Sequence, residues 1–188
     1  MLGRTDQALE QNRRALAADT LSLPAHATRG IILLQRGDLA AADRELERAL
    51  ALSPNFQLTL YYLAITRAGQ GRYEDAESLL ERAARQSPNF TGVAGGRAFV
   101  LQRTGQAGAA DSLVAALESQ ARTGGERARM NLAFAHAAIG QVDTAFARFD
   151  SVRWDIPSVV ELRANPLLEP VRSDPRYPSL LRKIGAEP

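Results

Sequence analysis

Two histidines, His26 and His136, are the only side chains whose ordinary titration falls near neutral pH, and cysteine is absent. Without cysteine there is no disulfide, no thiolate metal site and no thiol nucleophile. The histidines fall in separate segments, too far apart along the fold derived below to share a metal ion. Packed or partly exposed histidines are expected, and not ligands or bases. No His-Glu-x-x-His, Gly-x-Ser-x-Gly or Gly-Lys-Ser/Thr motif is present. Gly92, Gly95 and Gly96 form a glycine-rich stretch, but no strand precedes it, so a tightly packed or flexible helix is expected there and not a phosphate cradle. The carboxylates Glu45, Glu47, Asp75 and Glu77 read as the solvated side of helices, supported by i, i+4 pairs such as Glu81–Arg85. The sequence thus assigns no catalytic residue, no metal ligand and no cofactor.

The elements that carry these residues follow from spacing. Gly37–Phe56 and Gly71–Phe90 align without a gap at an offset of 34 residues, both ending Ser-Pro-Asn-Phe. Within them Ala42 matches Ala76, Leu46 matches Leu80 and Ala49 matches Ala83. The i, i+4, i+7 recurrence makes one apolar stripe along a helix. Gly37 and Gly71 supply the left-handed residue that ends a preceding helix. Asp38 is placed to cap the next one, and Pro54 and Pro88 close one unit and open another. The frame continues at Gly105 and Ala110. After one extra residue near Gly124, it resumes at Gly140, Ala145, Phe149 and Pro157. At the front, Gly3, Ala8 and Ala15 keep the spacing of Gly37, Ala42 and Ala49.

The eighth position of each unit is small (Gly30, Ala64, Ala98, Ala133), and the sequence from Leu2 to Pro157 resembles the tetratricopeptide repeat. The family's aromatic near the start of each unit is replaced by His26, Leu60, Ala94 and Arg129. Its usual first-helix tyrosine is replaced by Leu33, Arg67, Leu101 and His136. The resemblance implies an all-α, right-handed superhelical solenoid of antiparallel helix pairs, with about four repeats. The expected division is a half repeat or N-terminal capping helix over 1–22 and repeats over 23–56, 57–90, 91–125 and 126–157. A C-terminal capping segment over 158–188 follows, in which Leu167, Leu168, Tyr177, Leu180 and Leu181 are suited to cover the last repeat. That closing segment resembles the end of bacterial arrays attached to signalling proteins. Together with the half-repeat start, it raises the expectation of a C-terminal regulatory or sensory arm of a larger enzyme, such as a serine/threonine kinase or nucleotide cyclase.

The resemblance also implies a role: a non-catalytic scaffold binding another protein or peptide in a concave groove lined by first helices. The inward positions would be Thr28, Ile31 and Gln35, then Tyr61, Tyr62 and Ile65, then Phe99, Gln102 and Arg103, then Met130, Asn131 and Phe134. Some members clamp a C-terminal carboxylate with lysine and asparagine. Here Ala27, Ile31, Tyr61 and Ile65 stand instead, and an apolar groove for an amphipathic helix or extended peptide is expected. The alternative occupants are a first helix of this chain lying before Met1, or a second copy through self-association.

Bulk properties exclude other classes. A chain of 188 residues, 45% hydrophobic and 23% charged, is a folded protein and not a disordered one. No apolar run approaches the roughly 20 residues of a membrane span, so no membrane partner is expected. The N-terminus lacks an apolar signal core, which favours the cytoplasm, or the periplasm if an upstream signal is missing. The net charge is +2 with the two signs interspersed, and no basic cluster is interleaved with aromatics, so nucleic acid is not expected as a partner.

Overall fold

The computed structural model describes residues 2–86, 92–154, 158–159, 162–163 and 165–185, with side chains from residue 6 onward. Pro88, Pro157 and the second Ser-Pro-Asn-Phe ending lie outside the described residues. Among the described residues every regular element is helical. The chain forms two compact units, Met1–Ser87 and Pro88–Pro188.

The first unit holds α1 (Leu2–Ala18), α2 (Leu23–Gln35), α3 (Leu39–Leu52), α4 (Gln57–Gly69) and α5 (Tyr73–Gln86). Helix α2 pairs with α3, and α4 with α5. Each pair is joined by a tight turn, so its helices run antiparallel. Gly37 and Gly71 both sit at φ +79°, the left-handed conformation in which a Cβ is strained. Asp38 caps α3, its carboxylate accepting from the Ala41 N–H at 3.0 Å. Ala42, Leu46, Ala49, Ala76 and Ala83 are fully buried and Leu80 nearly so. The alanines let backbones approach, and the leucines fill the space left between helices. Gly30 serves the same purpose from α2, because a Cβ there would lie 2.5 Å from Leu46 Cγ. Helix α1 joins the stack through Asn12, whose side-chain amide donates to the Ala25 carbonyl at 2.8 Å. Arg36 reaches back from the end of α2 to Asp6 at 2.8 Å.

The second unit holds α6 (Gly92–Arg103), α7 (Ala107–Thr123), α8 (Glu126–Ala138) and α9 (Val142–Phe149). A 3-10 turn (Pro166–Leu168) and two short helices, α10 (Glu169–Arg172) and α11 (Tyr177–Lys183), complete it. Gly105 and Gly140 repeat the left-handed turn at φ +79° and +81°. The glycine-rich stretch is helical: Gly95 is buried in α6, and a Cβ on it would rest 3.6 Å from the Ala135 backbone of α8. Leu168, Val171, Leu180 and Leu181 join Met130, Ala145, Phe146 and Phe149 in one core, with Tyr177 packed against it. Phe149 meets Phe134 edge-on at 5.6 Å and Trp154 at 5.3 Å, and Arg176 lies 4.4 Å over the Phe146 ring. Among the described residues no helix is long and apolar enough to cross a membrane.

Candidate functional site

Both histidines are packed, at 8% and 3% exposure, and each is held by polar partners. His26 sits between two acceptors. Its Nδ1 is 2.8 Å from Glu45 Oε2 and its Nε2 is 3.0 Å from the Thr20 carbonyl oxygen. His136 donates from Nδ1 to the Gln141 side-chain carbonyl at 2.6 Å, and its Nε2 lies 3.5 Å from Glu118 Oε1. Arg148 donates to that same Glu118 oxygen at 2.8 Å. Burial pushes the His136 pKa below the ordinary histidine value, against the opposing pull of the Gln141 hydrogen bond. Among the described residues no group of three or more His, Asp or Glu side chains is gathered closely enough to hold a metal ion.

One expectation for the acidic residues is overturned. Glu45 does not lie on a solvated face: it is 8% exposed. Besides His26, its carboxylate takes Arg48 Nη1 at 2.8 Å and approaches Arg29 Nε at 3.6 Å. Periodicity places Glu45 one residue from Leu46 and cannot show that α2 brings a histidine and an arginine to the same spot. Glu47 remains exposed but pairs with Arg67 of α4, whose Nε also lies 3.2 Å from Asp43. Glu81 and Arg85 form the expected exposed i, i+4 pair at 3.8 Å.

The twelve first-helix residues divide by exposure. In the first unit Thr28 and Gln35 are exposed, and Ile31 and Tyr62 are half-buried. Tyr61 is 6% exposed, its ring edge-on to Tyr62 at 5.3 Å, and Ile65 has no exposed surface. In the second unit Gln102 and Arg103 are exposed, and Asn131 and Phe134 are half-buried. Phe99 and Met130 are buried at 7% and 3%, with the Arg103 guanidinium 5.2 Å over the Phe99 ring. Helices α2 and α4 pack together, as do α6 and α8. In each unit, then, these first-helix residues range from exposed polar side chains through half-buried ones to the buried Ile65 or Met130.

The tetratricopeptide repeat profile matches this chain over residues 33–93 and 67–127. No curated protein matches it. Among solved structures, a thermophilic TPR protein of Thermus thermophilus is similar at a TM-score of 0.62 and 23% identity, covering 96% of this chain and 92% of that one. The Pseudomonas aeruginosa protein pilF is similar at 0.59 and 21%, covering 97% and 85%. YrrB, described as a TPR protein with an unusual peptide-binding site, is similar at 0.53 and 18%, covering 92% and 90%.

Proposed function

The chain belongs to the tetratricopeptide repeat family, and from that premise we propose that it is a non-catalytic protein–protein interaction scaffold taking a peptide or helix on its first-helix faces. The observation that carries this reading is the α2–α4 face. There Ile31 and Tyr62 are half-buried and Thr28 and Gln35 are exposed, on two helices that pack together. An apolar centre with a polar rim is the anatomy of a docking surface. The peptide-binding site described for YrrB supports the reading by analogy of fold. Half-buried side chains have about 1 kcal/mol each left to gain by complete burial, set against an association cost of at least about 4 kcal/mol. Micromolar, reversible binding is therefore expected. Ile65, fully buried, acts by shaping this face and not by touching a partner.

Selection of peptides displayed on phage against the intact chain tests the reading. A selected peptide should bind at least about tenfold more weakly to a variant carrying Ile31→Asp and Tyr62→Ala, with the urea midpoint held as a folding control. Undiminished binding to a folded double variant would refute docking on the α2–α4 face.

A further inference from the structure

Helix α2 has two usable faces. Thr28, Ile31 and Gln35 share one, whereas His26 and Arg29 project about half a turn away at 100° per residue. That second face floors an open pocket of about 640 Å³ bounded by the ends of α1 and α3, within the size range of ligand sites. Leu16 of α1, Leu21 of the α1–α2 connection and Leu52 of α3 wall it. Leu21 is 72% exposed and Leu52 38%. The other exposed large apolar side chains among the described residues, Phe56 and Leu58, stand at the α3–α4 connection. Because α2 and α3 run antiparallel, both connections lie at the same end of the unit. Exposed apolar surface collected at one edge marks an interaction site more than scattered single residues do.

The floor is charged and biased in sign. Among the lining residues Glu45 is the sole acid, against Arg29, Arg48 and His26. Glu45 is already approached by all three. Arg29 Nε is buried without a hydrogen bond. Arg48 is 61% exposed at its side chain and gives Glu45 one hydrogen bond, at 2.8 Å, so further N–H groups remain to be taken. An incoming carboxylate would complete what Glu45 leaves unpaired, and an incoming cation would meet two guanidinium groups.

We propose that this pocket is a second docking site, separate from the first-helix faces, for a partner segment that sets an apolar side chain beside an acidic one. The apolar side chain would fill the space between Leu16, Leu21 and Leu52, and the carboxylate would pair with Arg29 and Arg48. The open mouth and the continuation of exposed apolar residues to Phe56 and Leu58 suit a polypeptide segment over a small enclosed ligand.

The probe is a terminally blocked peptide alternating leucine and glutamate, with one control peptide carrying glutamine for glutamate and another serine for leucine. Binding to the intact chain is read by fluorescence anisotropy, and its location by methyl and amide NMR shifts. The leucine–glutamate peptide should bind more tightly than either control, weaken with salt, and move the resonances of Leu16, Leu21 and Leu52. L21S should weaken it by about tenfold or more and R48Q by about two- to fivefold. Leu21 is exposed and without a polar partner to strand, so L21S should keep the parent's urea midpoint. R48Q removes one partner of the buried Glu45, so its binding is read at a temperature and urea concentration where circular dichroism shows the variant fully folded. Equal binding of the glutamine control, or no binding at about millimolar peptide, overturns the proposal. Shifts confined to Thr28, Ile31 and Gln35 would move the peptide to the first-helix face and leave this pocket without a partner. Displacement of the peptide by decanoate, or self-association of the chain that L21S abolishes, would assign the pocket to an amphiphile or a second copy and also overturn it.

Discussion

The close approach of α2 to α3 gives the sharpest test of how this repeat is held together. A Cβ placed on Gly30 would lie 2.5 Å from Leu46 Cγ, 2.8 Å from Leu46 Cδ2 and 3.4 Å from the Ala42 carbonyl oxygen. Leu46 is fully buried, so it cannot swing out into solvent without losing its core contacts. Gly30→Ala therefore gains about 1 kcal/mol of helix propensity but forces an overpacked contact that costs about 1–3 kcal/mol, and it moves Leu46 off its rotamer for about 1 kcal/mol more. The net expectation is destabilisation by about 1–3 kcal/mol. Leu46→Ala alone should cost about 2–5 kcal/mol through its cavity. In the double variant the methyl group added at position 30 enters that cavity, so it should be no less stable than Leu46→Ala. The two changes should thus couple by about 2 kcal/mol, which is non-additivity beyond the scatter of independent sites. Gly95→Ala is the control. Its Cβ would meet the Ala135 backbone at 3.6 Å, an ordinary contact, so propensity alone should act and stabilise by about 0.5–1 kcal/mol. Urea unfolding followed by circular dichroism, with amide exchange to locate the affected helices, measures all four variants. Strict additivity of the Gly30 and Leu46 changes, or stabilisation by Gly30→Ala equal to that of Gly95→Ala, would refute the close-packing argument.

Three other outcomes are expected. Gly71→Ala places a methyl group at φ +79° in otherwise open space and should cost about 1 kcal/mol from backbone strain alone, read from the urea midpoint. Arg67→Met strands Asp43, which is 14% exposed at its side chain. The loss should be about 2 kcal/mol, less than for a fully buried pair, because Arg72 remains 3.5 Å from the same carboxylate. His136 holds its proton less tightly when folded than when unfolded. As pH falls, the unfolded chain takes up that proton first, near the ordinary histidine value of about 6.5. Stability contributed at this site is full above that pH and is lost below it, down to the lowered folded value. The His136 ring resonance should titrate below the ordinary histidine range, and His136→Phe should flatten the corresponding part of the stability profile. The carboxylates of Asp174 and Glu10, held down to about 2 by hydrogen bonds from Arg176 and from Arg13 and Arg14, act in a separate, more acidic window. A ring that titrated at or above the ordinary value would overturn the desolvation argument.

The second helices are legible because their packing is written in spacing alone. Ala42, Ala76, Ala110 and Ala145 are all fully buried, and the large apolar residues four positions later (Leu46, Leu80, Val114 and Phe149) are buried beside them. The left-handed glycines at 37, 71, 105 and 140 follow the same frame. First helices are harder to read, and α8 shows why. Met130, Leu132, Ala133, Ala135, His136, Ala137 and Ala138 are all buried, so the apolar pattern has no single face, and a frame count cannot separate a groove-lining methionine from a core one. Glu45 escapes the pattern for a different reason. A carboxylate on a helix surface is indistinguishable, in a one-dimensional pattern, from one whose counter-charges arrive from a helix 19 residues away. The pocket beside it is invisible for the same cause, since Leu16, Arg29 and Leu52 share no period.

This asymmetry bears on where individuality can be built into such a chain. Where a second-helix alanine is fully buried, any larger side chain must push two backbones apart, so the repeat tolerates little change there. The first-helix position held by Leu33, Arg67, Leu101 and His136 is under no such constraint. At two of its four occurrences it carries a polar group that reaches back to the preceding second helix, Arg67 to Asp43 and Glu47, and His136 to Glu118. The repeated spacing of the helices fixes the reach such a group needs, and the varied side chain decides which neighbour it holds and with what charge. His26, Arg29 and Glu45 follow the same logic with their polar groups turned toward an open pocket instead of a closed interface. On this account the repeated positions set the distances between helices, and the unrepeated ones convert those distances into sites.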